Sequence, residues 1–336
     1  MRLLRSVTVA AILAAVSTGA APAEPLKLRI SFPNATGSMA PIYPLLPEGL
    51  ARHQGKSYVV EPMFMAGATQ SLQALAAKEL ELAQLTPQAL ALGVVGAKLD
   101  LSVIAQVIST ELEGYAASKF WVRKDEVKRI EDLKGKVLAV NAHGSAVAAA
   151  VTLMMRRHGM EAGRDYQVVE VRFPAMLAQL EGKRIDLAYL LRPWHVIAVK
   201  KPEFAPLFGP GEVYGPSETG VLAAPRAWIA QNRAALVDYL EDEIRVRRWA
   251  YDPRTRMEAV ARFAKAAKQP VENLAAFVLT KADTTHRDPQ AMVDAARLQK
   301  NVNHMKEAGV VPDTIDVAKH VDASLAREAA ARAARN

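Results

Sequence analysis

From residue 26 to about residue 215, short apolar runs alternate with helical ones, and this constrains the chain more than any other feature. "LKLRISFP" (26–33) alternates apolar and polar residues as a first strand does. "YVVEPMF" reads as a second strand and "GATQSLQALAAKELELAQL" as a helix followed by a short strand, with "LSVIAQVI" as the next strand. "FWVRKD" begins a new series: the strand around Val137–Val140, the helix "AVAAAVTLMMRRHGM", the strand "YQVVEVRF" and the helix-strand pair "AMLAQLEGKRIDLAYL". Strands alternating with helices predict an α/β fold with mostly parallel sheets. The stretches 26–110 and 118–215 repeat one element order, which predicts two similar lobes. After about Ala223 the pattern turns helical and ends in "ASLAREAAARAARN", a solvated helix.

Composition narrows the chemistry. With 336 residues, 51% hydrophobic and 23% charged, the chain can bury a substantial core. It has no cysteine, which excludes disulfides, thiolate metal sites and cysteine nucleophiles. Seven histidines show no paired spacing, so neither a metal nor another cofactor is expected. The first residues, "MRLLRSVTVAAILAAVSTGAAPAEP", carry Arg2 and Arg5, an apolar run and Ala21-Pro22-Ala23. They read as a signal peptide over residues 1–23 and predict a periplasmic protein. The formal charge of +8 falls to +6 without Arg2 and Arg5. The basic residues are scattered among acidic ones without a basic run, so nucleic acid is not the expected partner.

Four turns could carry function. In "VNAHGSAV" a strand ends at Asn141 and a helix begins after Ser145, with His143, Gly144 and Ala146 between and beside them. Backbone N–H groups at a helix start lack intrahelical acceptors and favour an anion. Ser145 either caps the helix or helps hold a ligand. No Walker lysine follows, and His143 has no acidic orienter nearby in sequence, so catalysis finds little support. Gly67 and Thr69 stand at a second helix start, and Thr86 follows the next strand; open α/β sheets place ligands at such strand ends. Asn34, Thr36 and Ser38 form a polar loop after the first strand. Tyr189, Arg192 and Trp194 cluster at another strand end, where Arg offers a planar fork to a carboxylate or sulfonate. Each of these groups also has an ordinary reading as a loop, a cap or core.

Together the leader, the two α/β stretches and the helical tail resemble the periplasmic substrate-binding proteins of ABC importers, and more narrowly the nitrate/sulfonate/taurine family. The residues carrying the resemblance are "FWVRKDEVKRIEDLKGKVLAV" with "HGS", "GMEAGRDYQVVEV", "AMLAQLEGKRIDLAYLLRPW", "APRAWIAQNRAALVDYLEDEIRVRRWAYD" and "MKEAGVVPDTIDVAKHVD". One departure is "EGLARHQGKSYVV" in place of the family's usual glycine-leucine turn.

The resemblance implies a two-lobed Venus-flytrap fold. Residues 24–117 and 218–336 would form the first lobe with its C-terminal helices, and 118–217 the second. Asn34 to Ser38, Ala66 to Thr69 and Thr86 would face a cleft from one lobe; Asn141 to Ala146, Phe173 and Tyr189 to Trp194 would face it from the other. It further implies a monomer without enzymatic activity that captures a small organic anion, a sulfonate or carboxylate with an aromatic or alkyl body, for an ABC permease in the inner membrane. The alternatives are an enzyme on the same fold, of the pyrimidine-precursor or menaquinone-pathway type, or a sensor that docks on a membrane receptor.

Overall fold

In the computed structural model, which describes residues 24–335 apart from 193 and 308, the strands are β1 (Leu26–Phe32), β2 (Tyr58–Phe64), β3 (Ala83–Leu85), β4 (Leu101–Thr110), β5 (Phe120–Arg123), β6 (Val137–Val140), β7 (Gln167–Glu170), β8 (Ala188–Tyr189), β9 (Phe204–Phe208), β10 (Ser217–Pro225) and β11 (Thr285–His286). The helices are α1 (Ala68–Ala76), α2 (Pro87–Ala91), α3 (Ala146–Arg157), α4 (Phe173–Glu181), α5 (Trp194–Val199), α6 (Pro210–Tyr214), α7 (Arg226–Gln231), α8 (Arg233–Tyr251), α9 (Arg256–Ala267), α10 (Glu272–Ala275), α11 (Ala295–Glu307) and α12 (Ser324–Arg335). The leader read over residues 1–23 lies outside the described residues.

The sheets are mixed, which corrects the expectation of mostly parallel pairing. β1 pairs with β2, and β6 with β7, in parallel. The longest strands instead pair antiparallel, in the order β11-β4-β10-β3, and β5 pairs antiparallel with both β8 and β9. Single parallel bridges, Ile30 to Leu82 and Leu138 to Leu187, join each parallel pair to a neighbouring antiparallel group. The reason is connectivity: β10 returns after the second series and inserts between β3 and β4. Alternation within a segment shows a strand but not which remote strand it will meet.

The local signals mostly hold. Ser145 caps α3 by accepting from the Ala148 N–H at 3.1 Å, the body of the helix is alanine-rich, Arg156 and Arg157 sit in its last turn, and Gly159 follows at φ +72°. Thr86 caps α2 through the Ala89 N–H at 3.1 Å, with Pro87 opening the helix. The proline-rich run after β1 forms only a short 3-10 helix, Ala40–Leu45. α1 closes through Lys78 in a left-handed conformation at φ +60°.

One apolar cluster lies against β1, β2 and β4, under α8, α9 and α12. α12 is tied to α8 by Arg332 Nη1 to Asp238 at 3.1 Å and by Arg248 Nη1 to the Ala333 carbonyl at 2.8 Å. The other cluster is continuous from α1, α2 and α11 to β5, β6, α3 and α4. Among the described residues no helix is long and apolar enough to cross a membrane.

Candidate functional site

The strand ends and helix starts of the two sheet systems face one another around a cavity of ≈ 140 Å³. That is on the order of ten times the ~10–15 Å³ one water needs on the same measure. Asn34 and Thr36 reach its wall from the loop after β1, Gly67 from the start of α1 and Thr86 from the start of α2. Asn141, Ser145 and Ala146 come from the β6–α3 turn, Phe173 from α4, and Tyr189 and Arg192 from β8 and the segment after it.

Six other candidates are placed off that wall. Ser38 is buried, and its Oγ accepts from the Ala40 N–H at 3.2 Å. Trp194 packs against the larger apolar cluster. The His143 side chain is 71% exposed beside Glu170, whose Oε1 accepts from the His143 backbone N–H at 2.6 Å. Ala66, Thr69 and Gly144 belong to a contact that joins the two walls instead. The Ala66 carbonyl accepts from Asn141 Nδ2 at 3.2 Å, and Thr69 Oγ1 donates to the His143 carbonyl at 3.4 Å.

Gly144 is required by that contact. It sits at φ +71°, and a Cβ there would overlap Thr69 Oγ1. Gly144→Ala is expected to cost roughly 1–2 kcal/mol in urea unfolding, the penalty of a side chain in the left-handed region. Solution scattering on the same variant should show a larger radius of gyration as the two walls part. An unchanged radius would show that Thr69 simply rotates aside.

The sequence reading did not find Gln84, Thr110, Ser118, Tyr214, Thr219, Phe277 or Asp283 to Thr285, all of which line the cavity. Thr110 had a signal, as the polar end of the long apolar strand β4. Phe277 and Asp283 had none, because they lie in the stretch that reads as helical, where the two-residue strand β11 beside Asp283 is too short to show a strand pattern.

The charges in the wall are unequal in their partners. Asp283 is 5% exposed and already engaged: it accepts from the Leu279 N–H at 3.1 Å, from the Thr285 N–H at 3.1 Å and from Thr285 Oγ1 at 2.9 Å, with Arg287 Nη1 at 3.8 Å. Arg192 makes no hydrogen bond or ion pair among the described residues; its guanidinium lies 5.6 Å from the ring centre of Phe277, and its Nε is buried without an acceptor. Burial, then the charge of Arg192, lowers the pKa of the neighbouring His195. Burial raises the phenols of Tyr189 and Tyr214, so both present neutral hydroxyls. At the start of α3 the N–H groups of Ala146 and Val147 have no intrahelical acceptor and stand at the same cavity.

The base of the cavity is made where the chain crosses between the sheets. Thr110 and Thr219 pair through their hydroxyls there. Next to Thr219, Glu218 is 1% exposed, bonded to Ser109 Oγ at 3.0 Å and Arg297 Nη1 at 2.7 Å. Burial pushes its carboxyl up to about 7, against the pull of Ser109 and Arg297. Folding therefore favours the protonated acid: this contribution to stability is full below the ordinary value of 4.5 and is lost as pH rises through about 7. Glu218→Gln should lose less stability than the parent between about pH 5 and pH 8 in urea titrations. An identical slope in the two proteins would mean that Glu218 stays ionised throughout.

Outside the cavity, His53, Asp238 and Glu241 bring possible ligand atoms within 4.8 Å of one another. Arg332 pairs with Asp238, and Arg245 with Glu241, so cations of the chain already neutralise this group.

Two linked α/β halves, a third helical region and a cavity between facing strand ends define a periplasmic-binding-protein fold. The aliphatic sulphonate binding protein SsuA of Escherichia coli superposes with a TM-score of 0.62 at 18% identity, over 89% of this chain and 92% of that one. The alkanesulfonate-binding SsuA of Xanthomonas axonopodis pv. citri, bound to MOPS, gives 0.65 at 17% over 90% and 99%. The periplasmic nitrate-binding protein NrtA of Synechocystis PCC 6803 gives 0.64 at 17% over 92% and 89%. All three are binding proteins rather than enzymes. By sequence, residues 21–264, well over half the chain, match the NMT1-like family, and the chain belongs to that family. No curated protein matches it.

Proposed function

We propose that the chain is a periplasmic receptor that captures a small organic anion between two lobes and hands it to an ABC importer. The observation that carries this reading is Arg192: a guanidinium in the cavity wall with no carboxylate partner among the described residues. Arg192 is half-buried with its Nε cut off from water, so the cation is partly desolvated without a counter-charge, and a bound carboxylate or sulfonate supplies one through paired N–H···O bonds. The start of α3 adds N–H donors and the favourable end of a helix dipole. Phe173, Tyr189, Tyr214 and Phe277 give the same cavity an aromatic wall. Its volume exceeds the needs of nitrate and favours a ligand with an organic body. Fold-level likeness to proteins that bind sulfonates and nitrate supports the same class.

The lobe division that fits is residues 24–117 with 218–336, and 118–217. The crossings then fall after β4 and before β10, at the floor of the cavity, where closure around ligand would be read by a permease. The test is a thermal-shift series with benzenesulfonate, benzoate, an alkanesulfonate and nitrate, with benzenesulfonamide as the neutral isostere. The reading expects stabilisation by an organic anion and none by the sulfonamide. Silence from every anion with a folded protein would refute it.

A further inference from the structure

The geometry points to Phe277 as the positioning residue that holds Arg192 in its ligand-ready orientation across the cavity. This deepens the receptor reading and rests on it for the role of Arg192. Arg192 follows β8 on one side, whereas Phe277 follows α10 and belongs to the apolar cluster beneath α8 and α9 on the other. An arginine side chain is long and rotamer-rich, so it needs something to fix it. In most proteins a carboxylate or carbonyl does this by consuming N–H donors. Here no described residue accepts from the guanidinium; its cation lies over an aromatic ring 7% exposed to solvent, at 5.6 Å from the ring centre.

That arrangement has two consequences. A ring attracts the cation through its face and leaves the edge of the guanidinium, where the N–H groups point, free for a ligand. The contact also joins the two sides of the cavity, so the oriented cation exists only when they are closed together. Phe277 lies beyond the residues that match the family model, so this holding element comes from the C-terminal part of the chain.

The experiment compares the parent with Phe277→Leu and Phe277→Trp in the full chain. One readout is the rate at which phenylglyoxal modifies Arg192, followed by peptide mass spectrometry without ligand. The other is the Kd for benzenesulfonate. Phe277→Leu keeps an apolar side chain but removes the ring. It should modify Arg192 several-fold faster and weaken benzenesulfonate by about 3- to 30-fold, the range of a partly to fully desolvated cation–ring contact. Phe277→Trp should restore both, which a merely space-filling role would not do. Should Phe277→Leu fail to fold, Phe277→Met carries the same comparison with a longer side chain. Unchanged modification rate and affinity in a folded ring-less variant overturn the proposal. If benzenesulfonate and the other anions fail to bind the parent, yet modification still accelerates without the ring, the receptor reading falls and the positioning role of Phe277 stands.

Discussion

Arg192→Ala is expected to abolish most of the affinity for whichever organic anion stabilises the parent, raising its Kd by about 10- to 150-fold. The figure follows from the roughly 1.5–3 kcal/mol of a hydrogen bond to a charged group. Folding stability should change little, because the guanidinium supports no hydrogen bond or ion pair among the described residues. Arg192→Lys keeps the charge and loses the planar fork, so it should fall between parent and alanine variant. Isothermal titration reads all three. If the alanine variant binds like the parent, the anion sits elsewhere, and the helix start at Ala146 is the next place to look. Ser145→Ala complements the measurement: it removes the α3 cap at a cost of about 1 kcal/mol and disturbs the N–H groups beside the cavity.

The largest effect on stability is expected from Arg247→Met. Arg247 is 2% exposed and lies on α8. Its Nε bonds Glu243 Oε1 at 2.9 Å, Nη1 reaches Gln106 Oε1 at 3.0 Å and the Asp288 carbonyl at 2.8 Å, and Nη2 reaches the Gln106 carbonyl at 2.6 Å. One side chain thereby ties α8, the central strand β4 and the segment leading from β11. Methionine fills similar volume but leaves the Glu243 carboxylate buried with only Tyr43 Oη at 3.1 Å, and strands two carbonyls. Removing one partner of a buried charge pair costs about 3–5 kcal/mol. Urea unfolding should show a loss of that size, and the double variant Arg247→Met/Glu243→Gln should recover part of it. A loss below about 1 kcal/mol would mean that water reaches the network.

Much of the architecture was legible because it is written locally. The α3 start at Ser145, the cap at Thr86 and the stop at Gly159 depend on residues within a few positions of one another. The strand ends were legible for the same reason, and Asn34, Thr86, Asn141 and Ser145 therefore came into view as polar groups at such ends. The trace failed where geometry rather than sequence decides. Ser38 satisfies its own loop and Trp194 packs against the larger apolar cluster, and nothing in "NATGS" or "LLRPW" separates these neighbours from Thr36 and Arg192, which reach the cavity. His143 stands two positions from a cavity residue on either side, Asn141 and Ser145, yet its side chain points to solvent.

Sequence alone determined that the chain is α/β with a helical end, that it lacks thiol chemistry, and which turns present polar groups and unsatisfied N–H donors. These follow from periodicity, composition and capping, all short-range properties. Only the tertiary structure decided that β10 inserts between β3 and β4, that Thr219 and Asp283 reach the same cavity as Asn34, and that Phe277 lies under Arg192, 85 positions away. Those contacts depend on where distant segments are brought by burial of their apolar faces, and burial is non-directional: it rewards apolar area removed from water without naming the partner.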